Sequence, residues 1–210
     1  MKISLTVLCD NLVTTRRLLA EHGLSILLER GGEQLLFDAG QSNCALRNAS
    51  LLDVSLRSPP IALSHGHYDH TDGLASCLRA FGNTVVLAHP DIFKERFSKT
   101  GAGEARSIGM SLSENALTRR GARLHLRDGP QEALEGIWTT GYINRPFPDD
   151  QALDGLYLDA LGRTTDDIGD DTAIVVEGSK KALILLGCAH AGVRNTVLKA
   201  EAMTDNCFAE

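Results

Sequence analysis

Four side chains of metal-binding type lie within six positions of one another, between residues 65 and 70. They are spaced His-x-His-x-Asp-His and are His65, His67, Asp69 and His70. The apolar run 60–63 comes just before them and predicts a strand that ends at the motif. Because alternate residues of an extended strand end point the same way, we expect His65 and His67 to share one ion. The turn that follows would carry Asp69 and His70 to a second position beside it.

The mixture of donor types indicates which ions this motif binds. Neutral imidazoles and a carboxylate suit zinc, manganese or iron, whereas calcium sites use oxygen ligands. We therefore expect a divalent metal cofactor, one or two ions per chain, with zinc favoured over manganese and iron. A histidine-rich surface turn without metal is the alternative that the spacing disfavours.

The size and charge of the chain limit its class. With 210 residues, of which 43% are hydrophobic, it can form one domain with a substantial core, so we expect residues 1–210 to be a single domain. A formal net charge of −6 disfavours a nucleic-acid surface, and we expect a small-molecule substrate instead.

The sequence favours a cytoplasmic protein that does not cross a membrane. Its first residues contain one lysine and an apolar run too short for a signal peptide, and they predict a first strand. No apolar stretch approaches the roughly 18 residues that a spanning helix needs. The five cysteines are scattered and odd in number, which indicates reduced thiols: Cys9, Cys44, Cys77, Cys188 and Cys207.

Hydrophobic periodicity and turn residues predict mixed α and β structure. Hairpins are expected over 24–38, with a Gly-Gly turn, and over 172–186; a buried strand is expected over 84–88. Helices are predicted over 43–52, 71–81, 91–97 and 193–203. The polar stretch 144–169 is long for a loop and is expected to be a lid or a disordered segment. Hairpins at both ends suggest two sheets packed face to face with helices outside.

Several motifs together resemble a known family. The histidine motif, following Phe37-Asp38-Ala39-Gly40, resembles the metallo-β-lactamase superfamily, and the resemblance runs through nearly the whole chain. Within it, four segments resemble the dihydropterin ribofuranosylaminobenzene phosphate synthase-like branch of metal-dependent hydrolases: 21–25, 64–70, 88–90 and 187–192. The resemblance implies an α+β fold, a four-layer αββα sandwich with a dinuclear site at the edge between its sheets.

The resemblance also assigns roles to residues. His65 and His67 would hold the first metal and Asp69 and His70 the second, with Asp69 also orienting the nucleophile. His190 would be a later ligand, since it follows a strand end; the alternative is a histidine that is merely hydrogen-bonded in a loop. Four further residues are expected near the site: Asp38 as a hydrogen-bond partner of the motif loop, His89 facing the substrate or supporting a ligand, His22 in a similar or a capping role, and Cys188 near the bridging position or as an unreactive thiol.

One departure from the branch concerns the second metal. Its members usually continue past the helix predicted at 193–203, with a Gly-Gly-Phe-His-Leu type segment whose histidines complete the second site. This sequence has residues 206–210 there, so we expect either a form that lacks the C-terminal strands and helix or a second metal with fewer protein ligands.

These residues predict an enzyme that uses a metal-bound hydroxide to hydrolyse an ester, lactone, thioester or phosphoester of a small molecule. The branch suggests an alternative, a pterin-type synthase that displaces diphosphate. A di-iron centre for redox chemistry and a catalytically weak sensor that retains the metal motif are two further alternatives.

Overall fold

Strands account for most of the regular structure in this computed structural model, which describes residues 2–99, 101, 103–179 and 181–204. The strands are β1 (Ile3–Cys9), β2 (Ser25–Arg30), β3 (Glu33–Phe37), β4 (Ile61–Ala62), β5 (Thr84–Ala88), β6 (Phe97–Ser98), β7 (Arg106–Ser107), β8 (Ala122–Leu126), β9 (Gln131–Leu134), β10 (Ile137–Thr139), β11 (Leu156–Tyr157), β12 (Ile174–Val176) and β13 (Leu183–Leu185). The helices are α1 (Cys44–Leu51), α2 (Tyr68–Thr71), α3 (Leu74–Phe81), α4 (Glu114–Thr118) and α5 (Val193–Met203), with 3-10 helices at Pro90–Phe93 and Pro148–Asp150.

The strand that leads into the histidine motif lies inside a six-stranded sheet of order β1-β2-β3-β4-β5-β8. The first three strands are antiparallel neighbours, and β3, β4, β5 and β8 run parallel to one another. Gly31 and Gly32 have φ values of +60° and +89° in the turn between β2 and β3, as the Gly-Gly pair predicts. The predicted hairpin is therefore confirmed.

Alternate residues of the large sheet belong to two different hydrophobic cores. Leu36 and Ile61 pack with the helices α1 and α3 on one face. Phe37 and Ala62, their neighbours in sequence, pack on the other face against a second sheet. This alternation follows from the two-residue period of a strand. It buries both faces of the sheet at β4, where Ile61 and Ala62 are both apolar, whereas the edge strand β8 has the exposed Arg123 and His125 on one face.

The second sheet has the order β13-β12-β10-β9 and is antiparallel throughout. Ile137 of β10 faces the core between the sheets, whereas the next residue, Trp138, lines a small outer cavity together with Met203 at the end of α5. Helices thus lie outside both sheets, and the predicted αββα arrangement is confirmed.

A third sheet, of order β11-β6-β7, consists of strands that are two residues long. Phe97 pairs with Ser107 and with Tyr157 in this sheet, so that it joins the segments 97–107 and 156–157. We call it the small sheet. It forms part of the wall of the cavity described below.

Two sequence-based predictions need correction in the middle of the chain. The helix expected over 91–97 is a 3-10 helix over Pro90–Phe93, after which Phe97 begins β6. Residues 144–169 were expected to form a lid or a disordered segment; they contain a 3-10 helix and β11, which pairs with β6, so the disordered alternative is wrong. The two short strands β6 and β11 form because they pair with each other across a long sequence separation, and local periodicity does not predict such a pairing.

None of the helices in the described ranges has the length and apolar character that crossing a membrane requires. Four of the five cysteines fall within those ranges, and all four are free thiols, as predicted: Cys9, Cys44, Cys77 and Cys188. Cys207 lies outside the described residues.

Candidate metal centre

Three loops with chemically active residues leave the same edge of the large sheet. Asp38 follows β3, His65 comes shortly after β4, and His89 follows β5. Because these strands are parallel, their carboxyl ends lie side by side, and ligands commonly bind at such an edge. The topology therefore brings the histidine motif next to residues that are distant in sequence.

His65 and His67 face each other at this edge. His65 Nε2 lies 2.9 Å from His67 Nδ1, and the rings cross at an angle of 80° with their centroids 4.5 Å apart. His67 has extended backbone angles and immediately precedes α2, which turns Asp69 and His70 towards a second position. Both histidines are buried.

His190 completes the first group of nitrogen atoms. It lies in the loop between β13 and α5, and its Nδ1 is 2.7 Å from the carbonyl oxygen of Ala152. Since a carbonyl oxygen only accepts, Nδ1 must donate, and the lone pair of the neutral ring is on Nε2. The potential ligand atoms of His65, His67 and His190 all lie within 4.8 Å of one another.

A second group of potential ligand atoms surrounds His70. Its Nε2 lies 3.1 Å from Cys188 Sγ and 3.4 Å from Asp69 Oδ2. Its Nδ1 lies 2.6 Å from Asp38 Oδ2, which accepts the ring proton and again directs Nε2 into the site. Atoms of His65, His70 and Cys188 fall within 4.8 Å of one another, so the two groups adjoin at His65.

Asp38 orients both groups. Its oxygens accept the backbone N–H of Ser64 at 2.7 Å and the Ser64 hydroxyl at 2.8 Å. The Ser64 hydroxyl oxygen lies 2.9 Å from His65 Nδ1. Because this hydroxyl donates its own proton to Asp38, it accepts the proton of His65 Nδ1, whereas His70 Nδ1 donates to Asp38 directly. Asp38 is fully buried and has a φ of +59°, a left-handed conformation that aspartate adopts more readily than most residues.

Burial keeps His65 and His67 of the first group neutral, whereas at His190 hydrogen bonds with Cys188 and with the Ala152 carbonyl outweigh the effect of burial and raise the pKa. Desolvation lowers the pKa of His67 to about 3, and the nearby His190 and Arg96 lower it further. Desolvation also lowers the pKa of His65, with additional contributions from His70 and His67. Both imidazoles therefore carry lone pairs at neutral pH, the form in which histidine binds a metal.

In the second group the pKa shifts favour the charged forms of the side chains. Burial opposes protonation of His70, but the charge and hydrogen bond of Asp38 outweigh it and raise the pKa. Burial likewise opposes ionisation of Asp69 and Cys188, yet hydrogen bonds from the neighbouring histidines lower both pKa values. Such opposed shifts within one cleft are typical of functional sites.

Three further observations indicate that the residues fit a metal ion. Within the described ranges, the buried atoms His67 Nε2, His190 Nε2 and Asp171 Oδ1 have no hydrogen-bond partner, although buried polar atoms normally have one. The donors are imidazole, carboxylate and thiol, which suit zinc and other first-row ions. Three of the histidines also have their Nδ1 held by an oxygen atom, which is the usual arrangement around metal ligands.

A cavity of about 460 Å³ opens onto these groups. Its wall combines metal-type ligands with residues of α2 and the small sheet, and consists of His22, His67, Tyr68, Asp69, Ser98, Glu104, Arg106, Ile108, Leu156, Cys188 and His190. A volume of this size accommodates a small organic molecule.

The predicted supporting residues have different positions. His22 lines the cavity, with its Nε2 3.5 Å from Asp69 Oδ2. Cys188 lines the cavity and belongs to the second ligand group, with His65 and His70. His89 is not among the cavity-lining residues of the described chain; instead its Nδ1 accepts the N–H of Asp91 at 3.1 Å and caps the 3-10 helix. The expectation that His89 faces the substrate is therefore not met.

Two aspartates that the sequence patterns did not predict support the site. Asp171 Oδ2 accepts the N–H of Ala191 at 2.6 Å, next to His190, and burial raises the pKa of its carboxyl to about 6. Asp170 Oδ2 accepts the N–H of Gly66 at 2.8 Å, and Asp170 Oδ1 pairs with the buried Arg96 at 2.6 Å. The only sequence signal was an Asp-Asp pair directly before an apolar strand.

Comparison with known proteins assigns the family. A model of the metallo-beta-lactamase superfamily matches residues 19–165. The chain is also 32% identical to the protein MJ0448 of Methanocaldococcus jannaschii over 193 residues, which is 91% of this chain and 71% of that one. This chain belongs to the metallo-beta-lactamase superfamily.

A second relative identifies the branch. The chain is 30% identical over 197 residues to the 7,8-dihydropterin-6-methyl-4-(beta-D-ribofuranosyl)-aminobenzene-5'-phosphate synthase of the same organism. This match covers 86% of this chain and 65% of the synthase. The chain therefore spans just under two thirds of the length of that enzyme. It belongs to the branch of the superfamily that contains these two proteins.

Among solved structures, Tm1679, a metal-dependent hydrolase of the beta-lactamase superfamily, has the same fold. The TM-score is 0.78, with 23% identity, and the match covers 97% of this chain and 73% of Tm1679. The predicted metallo-β-lactamase fold is confirmed.

Proposed function

We propose that this protein is a metal-dependent hydrolase that cleaves an ester, lactone or phosphoester of a small molecule. The observation that supports the proposal is the pair of adjoining ligand groups at the cavity wall. His65, His67 and His190 would hold one divalent ion, and Asp69, His70 and Cys188 would hold a second. Zinc suits the nitrogen and sulfur donors best.

A divalent ion bound there would lower the pKa of a coordinated water towards about 7 and polarise the bond under attack. The protein's own groups would orient the reactants. Asp69 is ionised at neutral pH because its pKa is lowered, so its carboxylate can accept a proton from the attacking water. His22, whose Nε2 is close to the same carboxylate oxygen, lines the cavity and would donate a proton to the leaving group.

Metal content per chain is the direct test. The purified protein is dialysed exhaustively, analysed by mass spectrometry for zinc, manganese and iron, and then screened with ester, lactone and phosphodiester substrates. We expect one or two ions per chain and chelator-sensitive turnover with at least one substrate class. His67→Ala should abolish both properties, because it removes a ligand atom from the first group.

His125→Ala is the matched control, since His125 is an exposed residue of β8. It should leave metal content and turnover unchanged. Full metal content and turnover in His67→Ala would overturn the assignment of the site.

A second candidate function is favoured by the relative named as a dihydropterin ribofuranosylaminobenzene phosphate synthase. In that reaction class, an aryl ribose phosphate would displace diphosphate from a pterin, and the same ligand groups would stabilise the leaving group. Release of diphosphate from a pterin methyl diphosphate, dependent on both substrates and on metal, distinguishes this function from hydrolysis. Turnover of simple esters without such release favours the hydrolase.

A further inference from the structure

The cavity contains a cationic side chain that is not part of the metal centre. Arg106 of β7 is the only arginine or lysine among the described residues that line the cavity. Its guanidinium carbon lies 5.3 Å from the centre of the Tyr68 ring, and Nη2 donates a hydrogen bond to the Tyr68 hydroxyl. The phenol ring holds the guanidinium in place without neutralising its charge.

No carboxylate of the described residues forms an ion pair with Arg106. This differs from Arg96, which is buried between Asp166 and Asp170. A guanidinium has five donors in a planar fork, and one hydrogen bond to a phenol leaves most of them available. Arg106 can therefore bind the oxygens of a phosphate or carboxylate in a bidentate manner.

The backbone connects Arg106 firmly to the metal-binding motif. Tyr68 lies between the candidate ligands His67 and Asp69, and its N–H donates to the carbonyl of Ile108 at 2.9 Å. Gly109 pairs with His67 in an isolated antiparallel bridge. The segment that follows β7 is thus fastened to the motif at His67 and at Tyr68, which fixes where an anion on Arg106 would lie relative to the reacting bond.

The remaining wall indicates what the substrate carries besides the anion. Ile108 and Leu156 provide apolar surface on the side of the small sheet, and the Tyr68 ring continues it. Glu104, two residues before Arg106, contributes one negative charge to the same wall. An organic group of aryl or alkyl type fits between the apolar residues and the metal centre.

We propose that Arg106 is a substrate-binding residue that selects small molecules bearing a phosphate or carboxylate group separate from the bond that is cleaved. This inference rests on the proposed function, since it deepens the specificity of the same site. The anion would be bound by Arg106 against Tyr68, with the apolar body of the molecule against Ile108 and Leu156.

Direct binding tests this without requiring turnover. Phenylphosphonate and benzoate, which present the two anion types on the same ring, are titrated by calorimetry into wild-type protein and into Arg106→Met. Both the metal-loaded protein and chelator-treated protein are used, because an anion also binds a metal ion. We expect Arg106→Met to weaken binding of the preferred anion at least tenfold in both preparations, with Arg106→Lys in between because it keeps the charge but loses the fork.

Glu104→Gln is the matched control, because it changes one charge on the same wall without removing the cation. It should bind the anion as tightly as wild type, or more tightly. The preferred probe, phenylphosphonate or benzoate, then shows whether the bound group is a phosphate or a carboxylate.

Equal affinity of wild type and Arg106→Met for both probes, or no binding of either probe by the wild type, would overturn the inference. Failure of the proposed function gives a different result, namely protein without bound metal or without turnover of any substrate. The loss of affinity in chelator-treated Arg106→Met is measured independently of that outcome.

Discussion

Asp170 accepts a hydrogen bond from the backbone N–H of Gly66 at 2.8 Å, although the two residues are 104 positions apart in the sequence. Gly66 lies between His65 and His67, so this bond fixes the peptide unit that separates two candidate ligands. The other oxygen of Asp170 pairs with Arg96 at 2.6 Å, and all three residues are buried. A carboxylate held by two partners in a buried position maintains a defined geometry.

Asp170→Asn should weaken metal binding by the His65–His67 group about 10- to 100-fold, the range for residues that orient ligands. The amide nitrogen must face either the Gly66 N–H or the Arg96 guanidinium, and both are donors. Competition with a chromophoric zinc chelator measures the affinity. Asp166→Asn is the control, since Asp166 pairs with Arg96 at 3.2 Å and does not contact the motif. Equal weakening in both variants would indicate that Arg96 neutralisation, and not the bond to Gly66, is what matters.

Asp38→Asn should lower the pKa of His70 in metal-free protein. The Asp38 charge and its hydrogen bond to His70 Nδ1 raise that pKa against the effect of burial, and asparagine removes the charge while tolerating the left-handed backbone. An NMR titration of the His70 ring nitrogens measures the shift. Asp72→Asn provides a control, because Asp72 accepts the N–H of Ser111 in an exposed hydrogen bond that does not involve His70. An unchanged His70 titration in Asp38→Asn would contradict the role given to Asp38.

Asp171 predicts a specific dependence of stability on pH. Burial raises the pKa of this carboxyl to about 6 in the folded protein, against about 3.9 in an unfolded chain. Between these values the unfolded state releases the proton first, so the contribution of Asp171 to the free energy of unfolding falls as pH rises from about 4 to about 6 and then levels off. The corresponding loss is about 3 kcal/mol.

Urea unfolding of chelator-treated wild type and Asp171→Asn between pH 4 and pH 7 measures this loss as the difference between the two profiles, in which the opposite contributions of His65 and His67 cancel. Asp171→Asn, which has no titrating carboxyl, should lack that part of the decline. The exposed Asp154→Asn serves as a surface control whose pH profile should match that of the wild type. Parallel pH profiles for wild type and Asp171→Asn would show that Asp171 ionises normally in the folded state.

Gly73→Ala should destabilise the fold by about 1–3 kcal/mol, because a methyl group there has no room. Its Cβ would overlap the carbonyl oxygen of Ala39 and come within 2.7 Å of the carbonyl oxygen of Ser42. Gly73 also donates its N–H to Gly40 at 2.9 Å, which packs the start of α3 onto the loop after Asp38. Thermal unfolding measures the effect. Gly129→Ala, where a Cβ meets no atom within 4 Å, should change stability by less than about 0.5 kcal/mol.

Much of the framework was predictable because it depends on local patterns. The strand Thr84–Ala88 and the helix Val193–Met203 have the bounds that periodicity predicted. The Gly31-Gly32 pair likewise predicted the turn between β2 and β3. The pairing of His65 with His67 also follows from a two-residue spacing at a strand end. Each of these features depends on side chains within a few residues of one another.

The features that were missed depend on contacts between distant segments. Tyr157 pairs with Phe97 across 60 positions in the small sheet, and neither two-residue strand has a periodic pattern of its own. His89 looked available for the substrate because it follows a strand end, but its ring bonds to the next turn of its own chain. The contact of Arg106 with Tyr68 likewise requires the folded arrangement.

The small sheet has a consequence for how relatives of this protein can differ. Its two-residue strands lie in loops between longer elements, whereas the metal-ligand candidates follow the ends of strands in the large core sheets. Insertions and substitutions in 97–107 or near 156 would thus reshape the wall of the cavity without disturbing the core. Such a division would let members of the superfamily differ in what the cavity admits while they keep the same candidate ligands, and exchanging 97–107 between relatives would test this directly.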